Sequence, residues 1–219
     1  GDGFVIVLWA GEYDVDDFDD LAIGVPLENL AGNADAGAVH VLYGGVAGLT
    51  VFGSQRWYLN SPGLDGVPNA NDLFGISMTS GDFNSDGRAD LAIGVPGGFE
   101  GNFDGVGTVQ VLYGSATGLT STGNRLFSQA FTGIADTAEA DDFFGTRVYC
   151  ADYDGDTFAD LVVAVPGEDI TGIQNCGAIN VIYGSLTGLT ADGDQFWHQN
   201  VGTIKDQCEA NDGFGVGTF

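Results

Sequence analysis

The chain has 219 residues, enough for one domain with a sizeable core, and its 37 Gly, 5 Pro and 11% aromatics suit short strands and tight turns rather than helices or disorder. With 31 Asp and Glu against 5 Lys and Arg, the formal charge is −26, which argues against nucleic acid and anionic membrane surfaces as partners. No apolar run reaches the roughly 18 residues of a membrane-spanning helix, so no membrane insertion is expected.

In chain order, the sequence is one unit written three times. DLAIGVP at 20–26 returns at 90–96 and, as DLVVAVP, at 160–166; VLYG at 41–44 returns at 111–114 and, as VIYG, at 181–184. GLT recurs from 48, 118 and 188, while NDLFG at 71–75 becomes DDFFG at 141–145 and NDGFG at 211–215. Every offset is 70 residues, a register that chance does not hold across four motifs. The units run 4–73, 74–143 and 144–213, with 214–219 opening a fourth, so that 1–219 reads as a single repeat segment. Gly1 begins inside a repeat, which makes the start look truncated or processed.

Within the second unit, 74–80 is expected as a short, Gly-containing first strand. The near-continuous apolar run at 91–95 marks a strand buried on both faces. Residues 108–113 alternate and stop at Gly114-Ser115, and a weaker fourth strand is expected around 125–129, matching 55–59 and 195–199. Four strands per unit, with no helical period, give an all-β fold: a β-propeller of three tandem four-stranded blades of about 70 residues each. That is long beside the roughly 40–45 residues of a WD40 repeat. The excess lies in loops such as 97–107 and 131–142.

Between the first two strands of each unit lies a nine-residue acidic loop. The copies are Glu12-Tyr-Asp14-Val-Asp16-Asp-Phe18-Asp-Asp20, Asp82-Phe-Asn84-Ser-Asp86-Gly-Arg88-Ala-Asp90 and Asp152-Tyr-Asp154-Gly-Asp156-Thr-Phe158-Ala-Asp160. Positions 1, 3, 5 and 9 carry oxygen side chains in all three. Position 7 varies among Phe18, Arg88 and Phe158, which suits a ligand offering only its backbone carbonyl. Alternating hard oxygen donors in a tight loop are what calcium selects, with magnesium second because it demands stricter octahedral geometry. The Glu that closes an EF-hand loop is missing, since Ile23, Ile93 and Val163 stand at position 12, and a strand follows instead of a helix. The expectation is a β-hairpin calcium loop, one ion per loop and up to three in all, held by the residues at positions 1, 3, 5, 7 and 9. An empty Asx-turn hairpin is the plain alternative, but carboxylates this crowded repel one another without a cation. The first loop departs most, with Glu12 for Asp, Asp17 where Gly87 sits, and FVIVLWAG before it. Catalysis by these acids is disfavoured, because near-identical copies argue for a repeated structural role.

Phe74-Gly75, followed by the acidic loop and then Gly94-Val95-Pro96, resembles the FG-GAP repeat of integrin α-subunit propellers and their bacterial relatives. The resemblance covers essentially the whole chain, with its motifs in the same order three times. It implies a larger, seven-bladed propeller of which these blades are part, with calcium in the hairpins and a secreted, extracellular or cell-surface setting. Three cysteines are too few for a disulfide scaffold and fit no zinc spacing. Such propellers place the loops of Cys176 and Cys208 together on the face opposite the calcium loops. A disulfide between them and two free thiols stand as equal alternatives. Cys150, aligned with Ser80, reads as a buried free thiol.

His40 aligns with Gln110 and Asn180, and His198 with Tyr58 and Ser128, so no Ser/His/Asp constellation assembles. Trp57, Phe127 and Trp197 share one register position, read as packing between blades or, more sharply, as a sugar-stacking platform. No Asn-X-Ser/Thr acceptor is found. The expected function is a non-catalytic scaffold for adhesion or protein interaction, its partner a protein or glycan on the cell surface or matrix. The binding surface is placed on the variable loops 28–36, 97–106 and 167–176 and the interblade loops 61–72, 131–142 and 198–211. Alternatives are a carbohydrate-binding propeller, as a lectin or the binding part of a polysaccharide-degrading enzyme, and a self-assembling subunit of an extracellular filament or surface layer.

Overall fold

A computed structural model describes residues 7–99, 103–202 and 204–216; expectations falling on 4–6, 100–102, 203 and 217–219 lie outside the described residues. The strands form three four-stranded antiparallel sheets, each in sequence order. The first holds β1 (Val7–Gly11), β2 (Asp20–Val25), β3 (Ala38–Tyr43) and β4 (Thr50–Trp57). The second holds β5 (Ser77–Gly81), β6 (Asp90–Val95), β7 (Thr108–Tyr113) and β8 (Thr120–Phe127). The third holds β9 (Val148–Ala151), β10 (Asp160–Val165), β11 (Ala178–Tyr183) and β12 (Thr190–Trp197). Strand β1 lies against β5 and β5 against β9, so the first strands of the sheets stand side by side as the inner edge of propeller blades. No helix occurs among the described residues, and the three blades do not close a ring.

The apolar second and third strands explain where the cores sit. One core joins Val39, Val41 and Trp57 of the first blade to Phe74, Leu91 and Ile93 of the second. Another joins Val109, Val111 and Phe127 to Phe144, Leu161 and Val163 of the third. Each core therefore lies between blades, and β6 and β7 are buried along their whole length because the middle blade is covered on both faces. The FG motif makes the joint. A Cβ on Gly94 would lie 2.1 Å from the Gly145 carbonyl oxygen, so only glycine lets the GVP strand of one blade receive the FG turn of the next.

Two strand boundaries differ from expectation. Phe74-Gly75 forms a turn, with the Gly75 N–H on the Gly94 carbonyl at 3.0 Å, and β5 starts only at Ser77. The fourth strand begins at Thr120 rather than 125, because Thr120-Ser-Thr-Gly carries no apolar signal on the outer edge. A bulge between Val111 and Tyr113, opposite left-handed Gly123, lets that polar stretch rejoin the ladder, and it recurs in the other two sheets.

Candidate metal centre

Each acidic loop is the hairpin between the first two strands of its blade, and two of its positions tie it to the rest of the sheet or to a neighbouring blade. The first is the position-9 acid. Asp90 accepts the Phe83 N–H on Oδ2 at 2.9 Å and the Gly114 N–H on Oδ1 at 2.9 Å, tying the hairpin to the end of β7. Asp20 does the same with Tyr13 and Gly44, and Asp160 with Tyr153 and Gly184. All three carboxyls are buried. Each oxygen spends one lone pair on an amide and keeps another for a cation.

The second is the aromatic at position 2, which sequence reading passed over. Tyr13 and Phe83 are 0% exposed, packed against the following blade, whereas Tyr153 is 55% exposed. The backbone at positions 1 and 2 locks the same joint: Ala89 and Ser115 N–H donate to the Glu12 and Tyr13 carbonyls, and Ala159 and Ser185 N–H to those of Asp82 and Phe83. An aromatic between acids in a turn looks like a loop residue, and only the 70-residue periodicity of the aromatic could have flagged it.

Positions 1, 3 and 5 face the rim. Positions 3 and 5 form a ladder in which each side-chain oxygen accepts the N–H two residues on, from Asp154 to Asp156 to Phe158 in the third blade. Asp152 winds the loop tighter, accepting the N–H groups of Gly155, Asp156 and Thr157 at 2.7–3.1 Å. Asp82 accepts those of Asp86 and Gly87. Glu12 reaches only the Asp14 N–H, at 3.1 Å. The reason is local: position 4 is left-handed in Ser85 (φ 56°) and Gly155 (φ 83°), a conformation that β-branched Val15 resists, so only Asp17 turns that way in the first loop.

The resulting geometry brings positions 1, 3 and 9 together. One oxygen each from Glu12, Asp14 and Asp20 lies within 4.8 Å of the others, and the same holds for Asp152, Asp154 and Asp160. Oxygens about 2.3–2.6 Å from one calcium span that distance. Asp16 and Asp156 stand outside these closest groups. In the second loop Asn84 replaces an acid, and the Arg88 guanidinium lies 3.2 Å from Asp86. Phe18, Arg88 and Phe158 give their N–H groups to position 5.

The electrostatics fit a cation. Burial pushes the Asp90 carboxyl up to about 7 against two N–H groups that pull it down, with Asp86 and Asp82 adding to the rise. Burial likewise leads the upward shifts of Asp20 and Glu12, with Asp14 contributing to both. Asp154 is raised by desolvation, then by Asp156, Asp160 and Asp152. A divalent ion would relieve both the lost hydration and the mutual repulsion.

The other singled-out residues fall elsewhere. Trp57 and Phe127 are buried between blades and present no face to a sugar, while Trp197, on the open side of the third blade, is partly exposed. His40 stands half-buried in β3 and His198 packs on Phe196, in different blades. Cys176 and Cys208 form a disulfide with Cα atoms 5.5 Å apart, resolving the alternative left by the sequence. Cys150 is free but only half-buried, because β9 lies at an inner edge, and its thiol donates to the Ser80 carbonyl.

The family model for the FG-GAP repeat matches residues 6–42, 74–112 and 144–179, the stretches that contain the hairpins just described. Phosphatidylinositol-glycan-specific phospholipase D of Mus musculus is 31% identical over 161 residues, 73% of this chain and 18% of that protein. The enzyme of the same name from Dictyostelium discoideum is 28% identical over 202 residues, 85% of this chain and 21% of its own length. Integrin alpha-PS2 of Drosophila melanogaster is 31% identical over 175 residues, 77% of this chain and 12% of that protein. The chain thus spans about a fifth or less of these relatives. It belongs to the FG-GAP repeat family.

Proposed function

We propose that the chain is a calcium-stabilised part of an extracellular propeller that serves as a non-catalytic scaffold for adhesion or protein interaction. The observation that carries this reading is the recurring hairpin, whose carboxylates at positions 1, 3 and 9 converge within 4.8 Å in the first and third blades. Positions 1, 3, 5 and 9, with the carbonyl of position 7, hold the ion in each loop. Calcium supplies no reaction there; it neutralises the acids and fixes the hairpin. The Cys176–Cys208 disulfide suits an oxidising, extracellular compartment. Similarity to an integrin α-subunit supports a surface partner, which the non-repeating loops would contact. No described helix is long and apolar enough to cross a membrane.

Similarity to phospholipase D enzymes favours a second reading, in which the blades accompany a hydrolase elsewhere in a longer polypeptide. Two assays test the scaffold reading. Removal of calcium lowers the melting temperature, and with free calcium about 100-fold above its dissociation constant each filled site contributes roughly 2.7 kcal/mol. The chain itself releases no glycan-anchored reporter from membranes. An unchanged melt together with no retained calcium contradicts the scaffold's metal; reporter release contradicts its non-catalytic role.

A further inference from the structure

At the opposite end of the strands from the acidic hairpins, the junction of the second and third blades gathers another set of carboxylates, of which Asp142 and Glu168 are buried and Glu139 is exposed. Glu139 and Asp142 lie in the link from β8 to β9, Glu168 in the loop from β10 to β11, and Gln129 just after β8. One oxygen each from Glu139, Asp142 and Glu168 lies within 4.8 Å of the others. Asp142 has a reason to be there that belongs to the repeat. Its Oδ2 accepts the Glu139 N–H at 2.5 Å, as Asp72 accepts that of Asn69 and Asp212 that of Glu209.

Glu168 and Gln129 have no such reason. At the junction of the first two blades the same registers hold Gly98 and Leu59, and the joint forms without them. Glu28, at this register in the first blade, is on the surface and pairs with Arg56 at 2.8 Å. Glu168 is 1% exposed, and the strongest charges acting on it come from Asp136 and Asp142. Gln129, 2% exposed, donates from Nε2 to Glu168 Oε2 at 2.5 Å, while its Oε1 is buried with no hydrogen-bond partner among the described residues. Burial raises the Glu168 carboxyl to about 9, so its charged form is unfavourable here unless a cation takes the place of the proton. An amide oxygen without a donor adds a further penalty. One cation answers both, since rotation of the amide exchanges its N and O and turns Oε1 toward the carboxylates.

We propose that Glu139, Asp142, Glu168 and the Gln129 side-chain oxygen form a divalent-cation site that clamps the second blade to the third, separate from the hairpin loops. The all-oxygen donor set selects a hard ion, calcium before the transition metals. The test is a calcium titration of the stripped full chain by calorimetry, with Glu168→Gln and with Gln129→Leu plus Glu168→Gly, the latter copying the junction of the first two blades. Wild type takes up one ion more per chain than either variant, whereas Asp152→Asn with Asp154→Asn retains that ion. Equal ion counts and affinities in wild type and both Glu168 variants, each with a wild-type circular dichroism spectrum, overturn the site whatever the hairpin variants bind.

Discussion

The first and third hairpins are opposites. The first is firmly attached but loosely wound: Tyr13 is sealed under the second blade, yet Glu12 holds only one N–H. The third is tightly wound but uncovered: Asp152 gathers three N–H groups while Tyr153 stands 55% exposed. Both keep the same position-9 acid on the same two amides. The nine residues therefore encode three separable things. Position 2 joins a neighbouring blade, position 9 closes the hairpin on its own blade, and positions 1, 3 and 5 wind the loop that carries the proposed cation site. The first blade shows the same division: Leu119 is 2% exposed with its N–H on the Tyr43 hydroxyl, whereas Leu49, which no described blade covers, is 50% exposed.

The largest way to break the comparison is at position 2. Tyr13→Ala should cost about 3–5 kcal/mol in denaturant unfolding, as large aromatics do in cores, while Tyr153→Ala should stay within about 0.5 kcal/mol. Equal losses would show that attachment is not what separates the two loops. Next, Asp20→Ala and Asp160→Ala strand two amide donors each, at about 1–3 kcal/mol per unsatisfied group. The loss should appear in calcium-stripped protein and be similar in both blades; a loss confined to calcium-loaded protein would reassign position 9 to the metal alone. A gentler change sharpens the winding argument. Glu12→Asp with Val15→Gly gives the first loop the third loop's residues at positions 1 and 4 and should tighten its calcium about tenfold, roughly 1.4 kcal/mol, as read by calorimetry.

The smallest effect is on pH. Burial raises the Asp72 carboxyl to about 6 and that of Asp90 to about 7, both above the unfolded value of 3.8. Groups raised in the folded state bind protons more readily there, so their stabilisation is full below about pH 4 and is lost as pH rises through 6 to 7. Calcium-stripped protein should therefore melt higher at pH 5 than at pH 8. Saturating calcium, which competes with protons for the Asp90 oxygens and the other acids of the hairpins, should reverse that order. A stripped protein that gains stability up to pH 8 would contradict the burial of these acids.

Much of the fold was legible because it repeats. The 70-residue register exposed the unit, and the apolar run at 91–95 marked β6 as buried on both faces, whereas the alternation of 108–113 did not show that β7 is buried along its whole length too. The start of β8 was not legible, since Thr120-Ser-Thr-Gly sits at an outer edge where packing leaves no apolar pattern. The acidic positions were legible as oxygen donors, but not that Asp20, Asp90 and Asp160 also close their hairpins, because an acid bound to amides and an acid awaiting a cation are spelled alike. The Gln129–Glu168 contact was hidden for a different reason: its partners lie 39 residues apart, and Leu59 and Gly98 take their places one blade earlier.

The central claim is that the rim of the acidic hairpin holds calcium, and counting ions on the folded chain tests it most directly. Equilibrium dialysis of stripped protein against millimolar calcium, followed by metal and protein quantification, should find one ion fewer per chain in Asp152→Asn with Asp154→Asn than in wild type. The same count in both proteins, or no retained calcium in either, would contradict the account.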